Sequence, residues 1–188
     1  MAYALKDLTR DLDALVEREK DPRALIRLTS DCLGRLVSTP GSIPEDYLQD
    51  RNPGGSTRNL IHKHPKERYV VLAIRWSPGY VTPVHDHGVW GASGVYLNAI
   101  RVTNYVRSDD GKDPAVARLS EHSSITAGVG TVTYVLPPNE EIHRIDNPSD
   151  RAAVSVHVYG RDIRTCHVFD LATGKVGNLD LTYHNVVL

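Results

Sequence analysis

The chain is poor in several features that define other protein classes. It has 188 residues, with one Phe, one Met, two Trp and two Cys. Cys32 and Cys166 stand 134 positions apart, which is no disulfide framework. They read as two reduced, buried thiols of a cytoplasmic protein. The longest apolar run near the middle, residues 69–74, falls far short of the ~20 residues a membrane helix needs. The N-terminal stretch MAYALKDLTRDLDALVEREK carries charges throughout, so it does not read as a signal peptide. Neither sign of charge dominates: 22 Lys and Arg face 23 Asp and Glu, for a net charge of −1, with no run of like charges. Nucleic acid is therefore not expected as a partner, because phosphate binding needs a basic patch. There is no dinucleotide or P-loop fingerprint. The length suits about one domain whose core needs no disulfide or metal in order to fold.

Histidine is what the chain has in number. There are nine, against that single Phe and single Met. Imidazole is the commonest protein ligand for metals and titrates near neutrality, so the placement of these residues matters. The first 40 residues read as two helices. Leu5, Leu8, Leu12, Leu15 and Val16 recur at three- and four-residue steps along one face. Asp21 and Pro22 form a start signal for the second helix, whose stripe is Ile26, Leu33, Leu36 and Val37. Thr39-Pro40-Gly41 ends it, and a short helical turn is expected over 44–48.

After Arg58 the texture changes to short Val-, Ile-, Thr- and Tyr-rich runs between turn residues. Strands are expected at 69–76, 80–85, 95–106, 115–119, 123–126, 131–135, 142–145, 153–159, 165–169 and 177–181. This many short strands suggest a barrel or sandwich. One domain over 1–188 is expected, with a helical flank over 1–50 and a small β-barrel over 56–183. The Asn-Pro-Gly-Gly-Ser cluster at 52–56 joins the two parts.

Three segments carry chemistry. In His85-Asp86-His87, strand alternation puts both imidazoles on one face and Asp86 on the other. Such a pair either holds a metal or decorates a surface strand. His143 follows His87 by 56 residues, enough chain to wind once around a barrel and return. In Ser155-Val-His157-Val-Tyr159, alternation aligns a hydroxyl, an imidazole and a phenol. That row is either a hydrogen-bonded chain with a task or three buried polar groups satisfying one another.

The two histidine segments together resemble the paired signatures of the cupin, or double-stranded β-helix, superfamily. The resemblance implies a mainly β fold. Where that superfamily usually places a Glu after the second His, this chain has Gly-Val-Trp-Gly-Ala-Ser. The implied site is therefore His85, His87 and His143. Three neutral imidazoles leave the full dipositive charge on a metal, unlike the two-His, one-carboxylate triad usual for non-haem Fe(II). Such a site favours an anionic ligand, and thiolate suits it. Zinc on three His remains open at this point.

The chain from about Ser56 to Tyr183 also resembles the cysteine dioxygenases, within the thiol dioxygenases. Four stretches carry the likeness: Thr57-Arg58-Asn59-Leu60, the histidine segments, Ser155-Val-His157-Val-Tyr159, and Thr165-Cys166-His167-Val168-Phe169-Asp170 with Thr173-Gly174. The resemblance implies Fe(II) on His85, His87 and His143. It implies that Arg58 clamps a substrate carboxylate, and that Tyr159 acts beside the metal, oriented by His157 and Ser155. It implies oxidation of L-cysteine by O2 to cysteine sulfinate, with no reductase partner. Animal members crosslink the tyrosine to a Cys five positions beyond the second His. That count falls on Ala92 here, so an uncrosslinked Tyr159 is expected, as in bacterial members. Ser56 stands where an aromatic residue often precedes the Arg. Relatives acting on 3-mercaptopropionate typically carry Gln at the anchoring position, so Arg58 favours cysteine; Arg164 is a second candidate for a carboxylate contact, left open at this point. Cys166 and His167 read as strand packing. The alternatives are a dioxygenase of 3-mercaptopropionate or another small thiol, a non-enzymatic metal-binding cupin, and a zinc lyase or isomerase.

Overall fold

The structure, a computed structural model, describes residues 2–186. The ends of the expected 1–188 domain (residues 1, 187 and 188) lie outside it. Two helices lead the chain, α1 (Leu5–Arg18) and α2 (Pro22–Val37). The Asp7 carboxylate accepts from the Ala4 N–H at the start of α1. The Asp21 side chain caps α2, accepting from the Ala24 N–H at 2.8 Å, with Pro22 in the first turn. A 3-10 turn covers Glu45–Leu48.

Among the described residues eleven strands follow: β1 (Ser56–Lys63), β2 (Val70–Trp76), β3 (Val84–His85), β4 (Gly91–Leu97), β5 (Ala99–Arg107), β6 (Leu119–Gly128), β7 (Val132–Val135), β8 (Ile142–Asp146), β9 (Ala153–Tyr159), β10 (Thr165–Phe169) and β11 (Val176–Asp180). They form two sheets, in the orders β1-β2-β9-β4-β7 and β11-β10-β3-β8-β5-β6. This is the mainly β, double-stranded β-helix architecture expected. The closure differs: the strands make two hydrogen-bonded sheets rather than one ring. Among the described residues no helix is long and apolar enough to cross a membrane.

β9 shows how the layers arise. All seven of its residues are buried, because the strand is central in its sheet and both faces are covered. Val156 and Val158 join the cluster made by Leu8, Leu12, Leu33 and Leu36 of the helices. Ser155, His157 and Tyr159 point the other way, between the sheets. On β4, Ala92 belongs to the helical side. At Gly94 a Cβ would lie 3.0–3.1 Å from Val37 and Leu33, so the absent side chain lets α2 seat on the sheet.

Several expected boundaries move. The run 95–106 is two strands, broken at Asn98, whose φ is +59°. Of 80–85 only Val84–His85 is strand. Of 115–119 only Leu119 is, as the first residue of β6. β1 was not among the expected strands. As the edge of the five-stranded sheet it is covered by the C-terminal tail: the Arg58 N–H donates to His184 Nδ1, and the Leu60 N–H donates to Asn185 Oδ1.

Candidate metal centre and substrate cavity

His85 ends β3, His87 lies two residues on, and His143 is on β8. β3 and β8 pair with His85 opposite His143. The three side chains meet between the sheets, with one ligand nitrogen from each lying within 4.8 Å of the others. Two of the rings are held through Nδ1. The His85 Nδ1–H donates to the Pro83 carbonyl at 3.0 Å, and the His87 Nδ1–H donates to the Glu141 carbonyl at 3.0 Å. A carbonyl can only accept, so both protons sit on Nδ1 and both Nε2 lone pairs are free. His143 Nε2 is buried with no hydrogen-bond partner. Burial keeps all three imidazoles neutral by lowering their pKa values, those of His87 and His143 strongly. Three neutral donors, one orphaned nitrogen and fixed tautomers fit a divalent metal. Asp86 faces away, where its carboxylate accepts from the His167 N–H and pairs with His167 Nδ1. The Glu141 carboxylate accepts from the N–H groups of His87 and Gly88 and pins the second ligand's backbone.

The histidine cluster opens into a cavity of ≈ 90 Å³. Arg58, Trp76, Tyr159, Ile163, Cys166 and Leu181 share its wall with the three histidines. Alternation along β1 turns Arg58 inward and sends Asn59 outward, where its amide donates to the Tyr47 carbonyl beside the 3-10 turn. Arg58 is 9% exposed, and its Nη1 has no hydrogen-bond partner. Its guanidinium lies 5.5 Å from the Tyr183 ring, and the Tyr183 hydroxyl donates to Asp162. A buried cation with an unpaired nitrogen is ready for an anion.

The Ser155-His157-Tyr159 row is a continuous chain. Ser155 Oγ lies 2.7 Å from His157 Nε2, and His157 Nδ1 lies 2.9 Å from the Tyr159 hydroxyl. Burial lowers the His157 pKa to about 3 and pushes that of Tyr159 up to about 12, so both are neutral near pH 7.

Three sequence expectations shift. Gly91, not Ala92, faces Tyr159: a Cβ there would lie 2.5 Å from the ring. Ala92 pairs with Val158 and faces the helices. Counting along the chain missed this because only strand register fixes which residue meets the ring. Arg164 does not line the cavity; its Nε pairs with Asp162 at 3.3 Å. Cys166 is in a strand as expected but also lines the cavity, where burial pushes its thiol up to about 11. Trp76, Glu141 and Ser93 also belong to the site, and none of them carries a sequence signal. Trp76 Nε1 donates to Ser155 Oγ at 2.8 Å, and Ser93 Oγ lies 2.8 Å from His157 Nδ1. No linear motif marks cross-strand partners of this kind.

Fold and site together define a double-stranded β-helix protein with a three-histidine cluster that could hold a metal, beside a cavity lined in part by an arginine. Residues 48–172 match the family model described as Cysteine dioxygenase type I, and the chain belongs to that family. It is 27% identical to Cysteine dioxygenase type 1 of Rattus norvegicus over 132 residues, which is 69% of this chain and 62% of the relative. Cysteine dioxygenase type 1 of Homo sapiens is 26% identical over the same shares. The chain thus spans less than two thirds of these relatives' length. Among solved structures, the protein TT1209 from Thermus thermophilus aligns with a TM-score of 0.46 and 17% identity, over 63% of this chain and 95% of that one. A Cupin 2 conserved barrel domain protein from Salinispora arenicola aligns at 0.42 and 16%, over 62% and 83%.

Proposed function

We propose that the protein is a cytoplasmic, iron(II)-dependent thiol dioxygenase that oxidises L-cysteine with O2 to cysteine sulfinate. The observation that carries this reading is the unpaired Arg58 Nη1 in the wall of the cavity that His85, His87 and His143 also line. A buried guanidinium nitrogen without a protein acceptor calls for a ligand carboxylate. The cavity of ≈ 90 Å³ corresponds to about three waters at their liquid volume, a space that suits a small ligand such as one cysteine. Membership of the family supports the reaction class. The free thiols Cys32 and Cys166 support a reducing compartment.

Iron held by the three histidines would supply a dipositive charge that favours thiolate and a centre for O2 chemistry. The remaining contributions are the chain's own. Arg58 fixes the carboxylate and so aims the sulfur toward the histidines. Tyr159 presents its hydroxyl beside them, steadied by His157 and Ser155. Ile74, Ile163 and Leu181 in the wall limit water. The reaction balances as thiol plus O2 to sulfinic acid. Sulfur supplies all four electrons, so no reductase is required.

The test is oxygen uptake by iron-loaded and zinc-loaded protein with L-cysteine, beside 3-mercaptopropionate, with products identified by mass. Uptake with iron and cysteine, giving a product heavier by two oxygen atoms, is the expected result. Uptake only with 3-mercaptopropionate would overturn the reading of Arg58. No uptake with either thiol at confirmed iron occupancy would overturn the enzymatic reading in favour of a metal-binding cupin.

A further inference from the structure

His157 has more partners than a three-residue row supplies. Its Nδ1 is 2.9 Å from the Tyr159 hydroxyl and 2.8 Å from Ser93 Oγ, on the neighbouring strand β4. Ser93 and His157 are direct cross-strand partners. On the other side of the ring, Nε2 meets Ser155 Oγ, which also accepts the Trp76 Nε1–H.

These contacts set the direction of every proton in the chain. Indole N–H can only donate, so Ser155 Oγ must accept from Trp76. Ser155 is fully buried, and among the described residues its own hydrogen has one acceptor, His157 Nε2. The reverse tautomer would leave that hydroxyl hydrogen buried and unpaired. Nε2 therefore accepts, and the single imidazole proton lies on Nδ1. That one N–H serves two oxygens, those of Ser93 and Tyr159. Because Tyr159 accepts from His157, its own proton is left to point into the cavity.

We infer that Ser93 is a positioning residue of the site: it shares the Nδ1–H of His157 with Tyr159, so the phenol can turn toward a bound substrate without stranding that buried donor. Without Ser93, each movement of the phenol toward the cavity would break the only hydrogen bond of a buried N–H. The second acceptor makes Tyr159 releasable while the ring of His157 stays fixed. The kinetic consequence rests on the dioxygenase reading above; the proton placement does not.

The test has two arms. In metal-free, 15N-labelled protein, the His157 ring should show one-bond proton coupling on Nδ1 and none on Nε2. A proton on Nε2 would overturn the inference. The Nδ1 proton should remain visible in Ser93→Ala and in Tyr159→Phe, since one acceptor is left in each. It should be lost to exchange with water in the double variant. Its loss in Tyr159→Phe alone, or its survival in the double variant, would show that the two oxygens do not share it. In the iron-loaded enzyme, Ser93→Val should lower kcat for cysteine about tenfold, and Ser93→Thr, which matches Val in size but keeps a hydroxyl, should return it to within about twofold. Equal kcat for the Val and Thr variants would refute the role. Absence of turnover in the unsubstituted protein would count against the dioxygenase reading alone, because the labelled-protein arm needs neither metal nor substrate.

Discussion

Replacing Gly91 by Ala puts the packing around Tyr159 to a direct test. The added Cβ would stand 2.5 Å from Tyr159 Cδ1, 2.8 Å from Cε1 and 3.2 Å from Val135 Cγ2. Carbon atoms at rest keep about 3.5 Å, so the ring must retreat by about 1 Å or the strand must shift. The ring has little room, with its hydroxyl 2.9 Å from His157 Nδ1 and its face stacked 5.5 Å from the His87 ring. A retreat of that size carries the hydroxyl outside hydrogen-bond range. Overpacking of this kind costs about 1–3 kcal/mol. In a chain of this length that lowers Tm by roughly 2–12 °C. Turnover with cysteine should fall with it, because Tyr159 leaves its seat. Ala92→Gly is the control. It removes a buried methyl from the helical face, so it should cost about 1–2 kcal/mol and leave turnover per folded molecule unchanged. The assays are thermal unfolding and oxygen uptake on both variants. Wild-type Tm and turnover in Gly91→Ala would refute the reasoning, as would a larger loss of turnover in Ala92→Gly.

Other perturbations probe the site from different sides. His85→Ala should lower iron affinity beyond the ~10–100-fold typical of losing an outer partner, as read by metal analysis after dialysis; retained stoichiometric iron would remove His85 from the ligand set. Arg58→Gln should raise KM for cysteine roughly 10- to 100-fold at unchanged iron content, the worth of a charge-assisted bond to a carboxylate, and an unchanged KM would take Arg58 out of the substrate's reach. Acid should destabilise the metal-free protein. The His157 pKa lies near 3 when folded against about 6.5 unfolded, so between these values the unfolded state binds the extra proton and stability falls as pH falls. From pH 7 to pH 5 this residue alone removes about 2 kcal/mol. Urea midpoints at the two pH values, compared with His157→Asn, check it: the same pH dependence in both proteins would refute the assignment. With its thiol pushed up to about 11, Cys166 should react with iodoacetamide at pH 8 more than about a hundredfold slower than a free cysteine, and rapid alkylation of its peptide would contradict that burial.

Those features that depend on local sequence were legible in advance. Helix periodicity and the Asp21–Pro22 start located α2. Strand alternation put His85 with His87 and aligned Ser155, His157 and Tyr159. Features that depend on register were not. β4 begins Gly91-Ala92-Ser93-Gly94, which lacks the branched residues of a typical strand. Its residues are small because neighbours press on both faces: Tyr159 at Gly91, and Val37 and Leu33 at Gly94. The same blind spot hid Ser93 and misplaced the residue opposite Tyr159 by one. β1 opens Ser56-Thr57-Arg58-Asn59, polar residues that look like loop, yet Thr57 and Asn59 are buried through hydrogen bonds to residues 47–51. Propensity could not find that strand, because its stability comes from partners elsewhere in the chain.

The covering of β1 by residues 184 and 185 bears on how the chain is made. The edge hydrogen bonds of Arg58 and Leu60 close onto residues 126 and 125 positions later. At a synthesis rate of about 5–20 residues per second, β1 leaves the ribosome at least several seconds before the tail that shields it exists. During that interval the strand offers an open edge to other nascent chains, and it does so in the segment that carries Arg58. Protection of this strand against mispairing thus waits until residues 184 and 185 have been made, and it comes from their two polar side chains together with the His184 backbone N–H, which donates to the Arg58 carbonyl.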